Sequence, residues 1–308
     1  MAPIEIPELV RLKAVALGSE GEQWMASLAE SLAEFEDQWG IAVGAPFRAG
    51  SAAYVVSVTT ADGAPAVLKL AMPDGLDGNG KFAQELEAVR QGQGRGYVDL
   101  LEFDERRRAM LLDRLVRPIH DVGLSIEAQI DAIAATVAQG WRRPDNPSVW
   151  RTGAEQAESL EQSIGTTWDL LGRPCPEPAV RLAQEYARRR REAFDERTAV
   201  AIHGDAHPWN VLESSAGGFK LIDPDGMWSE PAHDLAIPLR HWNDELLAGE
   251  PGTRVQSWCA RLQETTGVDA QAIWEWAHAE RVSTGLFLLR LGDPYGLPFL
   301  EVAHRIAT

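Results

Sequence analysis

Two short apolar runs joined by a polar loop constrain the fold of this 308-residue chain more than any other feature. The sequence reads AVAIHGDAHPWNVL followed by FKLIDPDG, so a predicted strand delivers Asp205 into a loop. Asn210 lies five positions later, and Asp223 ends the next apolar run. We therefore expect a fold in which these three oxygen-bearing side chains lie near one another.

The three side chains suit a site for magnesium and phosphate. Mg²⁺ takes oxygen ligands and is usually held by one or two carboxylates plus substrate phosphates, which makes Asn210 and Asp223 suitable ligands. Asp205 then stays available to accept a hydroxyl proton during phosphoryl transfer. The spacing His203-x-Asp205-x-x-x-x-Asn210 is that of the kinase catalytic loop, and Asp223 stands where the magnesium-binding Asp of the DFG motif would stand.

On these residues the chain resembles the aminoglycoside phosphotransferase family, and within it the streptomycin 6-phosphotransferase and hydroxyurea kinase branch. The matching blocks are HGDAHPWNVL, LIDPDG and EPAHDLAIPLR, which lie within residues 200–240. Further toward the N-terminus the resemblance rests on AVLKLA and on a helical pattern at residues 81–91.

The resemblance implies a protein-kinase-like two-lobed α+β fold, with a small N-lobe of antiparallel sheet plus helix and a larger, mostly helical C-lobe. It also implies an ATP- and Mg²⁺-dependent phosphotransferase, with GTP as the other nucleotide candidate. The acceptor would be a hydroxyl of a small molecule, an aminoglycoside such as streptomycin, and the role would be antibiotic resistance.

Hydrophobic periodicity alone predicts a similar division of the chain. We place the lobes at residues 1–116 and 117–308, because the pattern is mostly helical from Ser125 onward. Short strands return between Thr198 and Asp223, and helices resume at Pro231. The N-terminal pattern predicts helices at 22–38 and 81–91 and strands at 52–60, 66–71, 97–103 and 109–115.

The nucleotide contacts are carried over from the resemblance. Lys69 would contact the α and β phosphates, and Glu85, on the following helix, would pair with it, with Glu87 as the competitor for that role. Taken alone, a strand lysine beside a helix carboxylate is usually an ordinary surface ion pair. For adenine, the backbone from Asp113 to Leu115 falls where an interlobe hinge should offer N–H and C=O groups.

The phosphate-covering loop departs from the kinase pattern. GAPFRAGSAAYVV occupies its place, but Gly44 and Gly50 do not reproduce GxGxxG. We therefore expect backbone amides of Gly50, Ser51 and Ala52 to cover the phosphates.

A different kind of metal site is the main chemical alternative. His203 and His207 flank Asp205 in HGDAH, which offers three ligands at alternate positions, as in some metallohydrolases. That reading leaves the spacing to Asn210 and Asp223 unexplained, whereas the kinase reading uses all of it.

Four further residues receive supporting roles. In kinase-like folds the residue corresponding to Asp234 holds the backbone of the catalytic loop, although an Asp this close to Pro231 is also favoured as a helix cap. We expect His203 to be structural and His207 to brace the loop or to lie beside the substrate. Asp225 could approach a metal or cap its turn, and local hydrogen bonding favours the turn.

The excess of acidic over basic residues indicates which partners the protein can bind. The formal charge of −17 repels nucleic acid and anionic membranes, and it suits either a solvated acidic surface or a cationic small-molecule substrate. Two distant cysteines and the lack of a signal-peptide pattern favour a reducing, cytoplasmic compartment. We expect the protein to be a monomer or a homodimer. Candidates for binding cationic groups, most of them expected to be solvated surface residues, are Glu230, Asp244, Glu245, Glu275 and Glu280.

Two other functions remain open at this point. One is a metabolic kinase for choline, homoserine, a sugar or a related small alcohol. The other is a non-catalytic binding protein that keeps the kinase fold, against which the intact set Lys69, Asp205, Asn210 and Asp223 argues.

Overall fold

The computed structural model describes residues 4–48, 53–74 and 81–308. The chain divides into two compact units, one of Met1–Gly94 with Val98–Val116 and the other of Arg95–Tyr97 with Arg117–Thr308. Across the described residues, no helix has the length and apolar character needed to cross a membrane.

The first unit is an antiparallel sheet with helices. Its elements are α1 (Glu8–Ala16), α2 (Ser19–Trp39), β1 (Ile41–Pro46), β2 (Ala53–Thr60), β3 (Pro65–Ala71), α3 (Lys81–Gly92), β4 (Leu100–Asp104) and β5 (Ala109–Asp113). The sheet order is β1-β2-β3-β5-β4, so the β2–β3 hairpin lies near its centre. The predicted helix at 81–91 and the predicted hairpin are confirmed.

The core of this unit follows from two periodicities. Alternate residues of β2 point to one face of the sheet, and the apolar stripe of α2 recurs at helical spacing. The two sets of side chains pack into one cluster because each covers apolar surface of the other that would otherwise face water. The buried members contributed by α2 and β2 are Leu28, Leu32, Phe35, Tyr54, Val56 and Val58.

The predicted strand at 97–103 is wrong at its start, since β4 begins only at Leu100. Gly94 and Gly96 both take positive φ, and a Cβ on Gly96 would clash with the carbonyl oxygen of Thr136. The chain therefore bends into the second unit for three residues, where Tyr97 forms a parallel bridge with Leu221.

The second unit is mostly helical with two small sheets. The elements are α4 (Ile126–Gly140), β6 (Arg151–Thr152), α5 (Gly153–Leu170), α6 (Glu177–Ala193), β7 (Val200–Ile202), β8 (Val211–Glu213), β9 (Phe219–Leu221), β10 (Met227–Ser229), α7 (Pro231–Ala236), α8 (Asn243–Leu247), α9 (Pro251–Thr266), α10 (Ala270–Arg290) and α11 (Gly296–Ala307). One sheet has the order β6-β10-β7, and the other is the β8–β9 hairpin.

Helix α10 is the central helix of this unit and is buried along most of its length. Trp276 is fully buried on it, as large aromatics at helical spacing usually are. Its buried face also carries charged side chains, among them Glu275, Glu280 and Arg281. Buried charges must be paired, so α10 organises ion pairs as well as apolar contacts.

Candidate active site

The loop that follows β7 is anchored by one buried carboxylate. Asp234 is completely buried on α7, and its Oδ2 and Oδ1 accept hydrogen bonds from the backbone N–H groups of His203 (3.0 Å) and Gly204 (2.8 Å). The helix N-cap is Glu230 and not Asp234. Since Gly204 has φ 82° and a Cβ there would clash with the side chain of Met227, the loop needs a glycine at this turn.

Asp205 leaves this loop with its carboxylate partly exposed. Its Oδ1 accepts a hydrogen bond from Arg240 Nη2 at 2.5 Å, and its Oδ2 lies 3.5 Å from His207 Nε2. Burial raises the pKa of the Asp205 carboxyl above its ordinary value, and the Arg240 guanidinium opposes that rise. The side chain is thus held at one oxygen while the other faces the loop.

Arg240 was missed by the sequence reasoning. It closes the block EPAHDLAIPLR, which supported the family resemblance, but no chemistry was assigned to it. A short 3₁₀ helix at Pro238–Arg240 follows α7 and brings its side chain to Asp205, 35 residues away in sequence. The available signal was the position of an arginine six residues after the anchoring Asp234.

Asn210 and Asp223 meet because of the β8–β9 hairpin. Asn210 precedes β8 directly, Asp223 follows β9 closely, and the pairing of Val211 with Leu221 closes the same end of the hairpin. The backbone N–H of Ile222 donates to the Asn210 carbonyl oxygen at 3.0 Å, which fixes the two segments side by side.

The residues at this end carry oxygen atoms that suit a hard cation. Asn210 Nδ2 donates to the carbonyl oxygen of Asp205 at 3.0 Å, so Oδ1 is the atom with which this amide would contact a cation. Asp223 is exposed and has φ 55°. Aspartate is one of the few residues that tolerate this left-handed conformation, which is frequent where backbone strain is kept for function.

The metallohydrolase alternative does not fit the histidines. His203 Nδ1 accepts from the backbone N–H of Asp205 (3.1 Å), and its Nε2 donates to the Ile222 carbonyl oxygen (2.9 Å). Both ring nitrogens of His203 are therefore engaged. Within residues 4–48, 53–74 and 81–308, no group of three His, Cys, Asp or Glu side chains is arranged to hold a metal ion.

In the first unit, Lys69 of β3 and Glu85 of α3 form an ion pair. The two side chains are only 9% and 12% exposed, so this is not the surface pair of the alternative reading. Glu87 instead pairs with Arg90 one helical turn away, at 3.4 Å. A buried charge pair is retained at a desolvation cost, which points to a use beyond stability.

Comparison with known proteins agrees with this geometry. Residues 38–292 match the family described as aminoglycoside/hydroxyurea antibiotic resistance kinase. The chain belongs to this family. Its relatives include a hydroxyurea phosphotransferase of Kitasatospora aureofaciens, 32% identical over 98% of this chain and 85% of that protein. A streptomycin 6-kinase of Streptomyces glaucescens is 28% identical over 94% of this chain and 92% of that protein.

Solved structures show the same fold. A thermostable mutant of an aminoglycoside phosphotransferase, in ternary complex with AMP-PNP and hygromycin B, covers 91% of this chain and 98% of its own. The TM-score is 0.59 at 14% sequence identity. The predicted protein-kinase-like fold is confirmed, and the chain is a phosphotransferase of the family named above.

Within this kinase, the residues predicted for nucleotide contact have different surroundings. The backbone N–H of Asp113 already donates to the carbonyl oxygen of Asp99 at 2.9 Å, so it is not available to an adenine ring. Leu115 lies just beyond β5 and is buried. Ser51, together with its neighbours Gly50 and Ala52, lies outside the described residues.

Neutral imidazoles and an exposed indole lie beside Asp205. The ring of Trp209, 42% exposed, stacks on His120 at a centroid distance of 4.5 Å and meets His207 and His241 edge-on. Burial, with the nearby Arg240 charge, lowers the pKa of His207 to about 3 and holds the pKa of His241 well below its usual value. His207 therefore stays uncharged at neutral pH.

The expectation that the five candidate carboxylates are mostly solvated is wrong for three of them, because Glu275 and Glu280 lie on the buried face of α10 and Glu230 contacts that helix. Glu275 pairs with Arg190 at 2.7 Å, and Glu280 contacts His233 at 2.9 Å. Glu230 accepts from the indole N–H of Trp276 at 2.8 Å and pairs with Arg190. The two that remain exposed are Asp244 and Glu245.

Proposed function

We propose that this kinase transfers the terminal phosphoryl group of ATP to a hydroxyl of a cationic aminoglycoside of the streptomycin type. The observation that carries the proposal is the loop carboxylate Asp205, held at one oxygen by Arg240, next to the paired ends of the hairpin that bear Asn210 and Asp223. The unit ending at Val116 binds the nucleotide, and the unit from Arg117 carries catalysis and the acceptor.

Asp205 acts as the base. As the acceptor oxygen bonds to phosphorus, its proton passes to the Asp205 carboxylate. Arg240 occupies Oδ1, which leaves Oδ2 to receive the proton. Burial raises the pKa of Asp205, which makes this carboxylate a better proton acceptor than an ordinary aspartate, and the charge of Arg240 opposes that rise.

The residues present fit a magnesium ion. The Oδ1 of Asn210 and the carboxylate of Asp223 are hard oxygen donors, and phosphate oxygens complete the set such an ion requires. When bound, the ion neutralises charge on the transferring phosphates. Asn210 also ties the ligand set to the base, because its Nδ2 is bonded to the Asp205 carbonyl oxygen.

Lys69 binds the α and β phosphates, and Glu85 positions it. The buried carboxylate favours the charged ammonium and limits its rotamers, so that Lys69 presents a fixed positive charge. Since Asp113 N–H is engaged, we assign hinge contacts with the adenine to the backbone around Leu115. We propose ATP as the phosphoryl donor. GTP is the alternative donor, and an assay with each nucleotide distinguishes the two.

The proposed class of acceptor is supported by the net charge of the protein, by the exposure of Trp209 and by the names of two relatives. The net charge of −17 attracts cations, and Trp209 offers an exposed aromatic face at the catalytic loop. Two relatives are named hydroxyurea phosphotransferase and streptomycin 6-kinase. Hydroxyurea is the second candidate for this reason. We place the enzyme in the cytoplasm, as a monomer or a homodimer.

The test is incubation of the purified protein with Mg²⁺ and either ATP or GTP. Each reaction contains one of streptomycin, hygromycin B, hydroxyurea or choline. Mass spectrometry should find one phosphoryl group added to streptomycin, with matching ADP release and none from Asp205→Asn. Phosphorylation of hydroxyurea or choline alone would replace the substrate claim, and no product with any compound would remove it.

A further inference from the structure

We infer that Glu280 of α10 is a positioning residue for the reaction, acting on Asp205 through Arg240. The inference rests on the proposed function, in which Asp205 is the base. Neither the family match nor the motif spacing assigns a role to Glu280, which sequence reasoning treated only as a possible acceptor contact.

A chain of side-chain contacts connects the two carboxylates. Arg240 places Nη2 on Asp205 Oδ1 at 2.5 Å and Nη1 on Glu280 Oε2 at 3.4 Å. Behind it, Glu280 Oε1 accepts from His233 Nε2 at 2.9 Å and from Gln156 Nε2 at 3.3 Å. One guanidinium is thus shared by the partly exposed carboxylate of Asp205 and the buried carboxylate of Glu280.

Burial makes the inner end of this chain rigid. Glu280 is 6% exposed and His233 is fully buried, with its ring stacked on Trp276 at a centroid distance of 3.9 Å. Despite burial, the pKa of Glu280 lies below its ordinary value, because His233 and Arg240 favour the ionised form. A fixed, charged carboxylate therefore sets the position of the Arg240 guanidinium.

Arg281, which follows Glu280 on α10, holds the backbone of Arg240. Arg281 Nη1 donates to the backbone carbonyl oxygen of Arg240 at 3.0 Å, and its Nη2 bonds the carbonyl oxygen of Leu239. Two consecutive residues of one helix thus fix the backbone and the side chain of the same arginine. Since Arg281 is also buried, α10 acts as a frame for the residue that orients the base.

Loss of the Glu280 charge should release Arg240. With Glu280 neutral, the charge that holds Arg240 Nη1 is gone, and the guanidinium can leave Asp205 Oδ1. A catalytic group that is not held in its reactive orientation works more slowly, so turnover should fall.

The experiment compares Glu280→Gln with Glu275→Gln. Glu275 is a matched control because it lies on the same helix, is 2% exposed and pairs with an arginine, Arg190, that does not contact Asp205. We expect Glu280→Gln to lower kcat about 10-fold with little change in KM for ATP. Glu275→Gln should lose similar thermal stability and keep its kcat.

A second readout does not depend on turnover. In crystal structures of the variants, Glu280→Gln should move the Arg240 guanidinium away from Asp205 Oδ1, whereas Glu275→Gln should leave this contact in place. If the wild type phosphorylates nothing, the proposed function fails while the crystal structures still test the contact. An unmoved Arg240 with unchanged kcat in Glu280→Gln overturns the inference, as does an equal kcat loss in both variants.

Glu280→Asp covers the case in which Glu280→Gln does not fold. It keeps the buried charge but withdraws the carboxylate by one methylene from Arg240. We expect a kcat between those of wild type and Arg240→Lys, a variant that keeps the charge of Arg240 but cannot bridge two carboxylates. Wild-type kcat in Glu280→Asp, beside an impaired Arg240→Lys, would contradict the role of Glu280.

Discussion

Each of the two compact units contains an ion pair of functional interest, and the two pairs arise differently. Lys69 and Glu85 are 16 residues apart, on a strand and the helix that follows it. Asp205 reaches Arg240 35 residues away, and Arg240 reaches Glu280 40 residues further on. The first pair arises from neighbouring elements, whereas the second is a network that exists only once α7 and α10 are packed together.

The two arrangements suit different tasks. The carboxylate of Glu85 can hold the Lys69 ammonium in place for a ligand that arrives from outside. A network that shares one guanidinium between two carboxylates can set the direction of a group that takes part in a reaction. Variants in each unit can separate the proposed binding role of the first from the proposed catalytic role of the second.

The largest effect is expected at Asp205. Asp205→Asn removes the base but keeps its shape, and we expect kcat to fall by about 10² to 10⁴-fold, the usual contribution of a general base. ATP affinity, measured by calorimetry with Mg²⁺, should stay within about twofold because the residue acts on the acceptor. Equal losses in kcat and in ATP affinity would show that Asp205 serves the nucleotide instead.

A change at Lys69 should lower both the stability of the fold and the affinity for ATP, and we expect this effect to be smaller than the loss of kcat at Asp205. Lys69→Met leaves Glu85 buried without its cation, which should lower the free energy of unfolding by about 3 to 5 kcal/mol. The double variant Lys69→Met with Glu85→Leu should recover most of that stability and yet bind ATP poorly. Recovery of ATP binding in the double variant would assign the pair a structural role only.

Acid should destabilise the second unit through its buried histidines. Burial lowers the pKa of His207 to about 3 and of His278 to about 4, from an ordinary 6.5. Below pH 6.5 the unfolded chain takes up protons that the native state excludes, so stability falls as pH falls. The slope should approach about 1.4 kcal/mol per pH unit for each such histidine.

Urea unfolding at pH 6.5, 6.0 and 5.5 measures this slope in a range where ordinary carboxylates do not titrate. His278→Gln is the informative variant, because His278 is 2% exposed, and its Nε2 donates to the carbonyl oxygen of Ala179 at 3.2 Å. The variant should flatten the slope. An unchanged slope would mean that His278 is protonated in the folded state.

The smallest effect is expected at Glu87, the competitor of Glu85. Glu87→Gln breaks a pair with Arg90 on one helix, worth up to about 0.5 kcal/mol, and should leave ATP affinity unchanged. Glu85→Gln is its counterpart and should weaken ATP binding. A larger loss of binding from Glu87→Gln than from Glu85→Gln would reverse the assignment of the pair.

Much of the first unit could be predicted from sequence because its determinants are local. The β2–β3 hairpin and α3 are visible as changes of hydrophobic period, and they place Lys69 and Glu85 on consecutive elements. The predicted strand at 97–103 failed where two glycines turn Tyr97 toward Leu221, a contact to a residue more than a hundred positions away. Nothing in the local pattern records that contact.

The charged residues of α10 show the limit of sequence reasoning most clearly. Charged side chains on helices are usually solvated, and so most of the candidate carboxylates, Glu275 and Glu280 among them, were expected at the surface. In the fold this helix is central, and each carboxylate has a cationic or imidazole partner from another element. Which face of a helix is buried depends on the helices that surround it.

Local spacing was enough to place Asp205 in a loop after a strand, to bring Asn210 and Asp223 near one another, and to indicate the family. The contacts of Arg240 with Asp205 and of Glu280 with Arg240 could be read only from the packed fold. A charge in the interior is stable only beside its partner, and partners from distant helices meet only through packing.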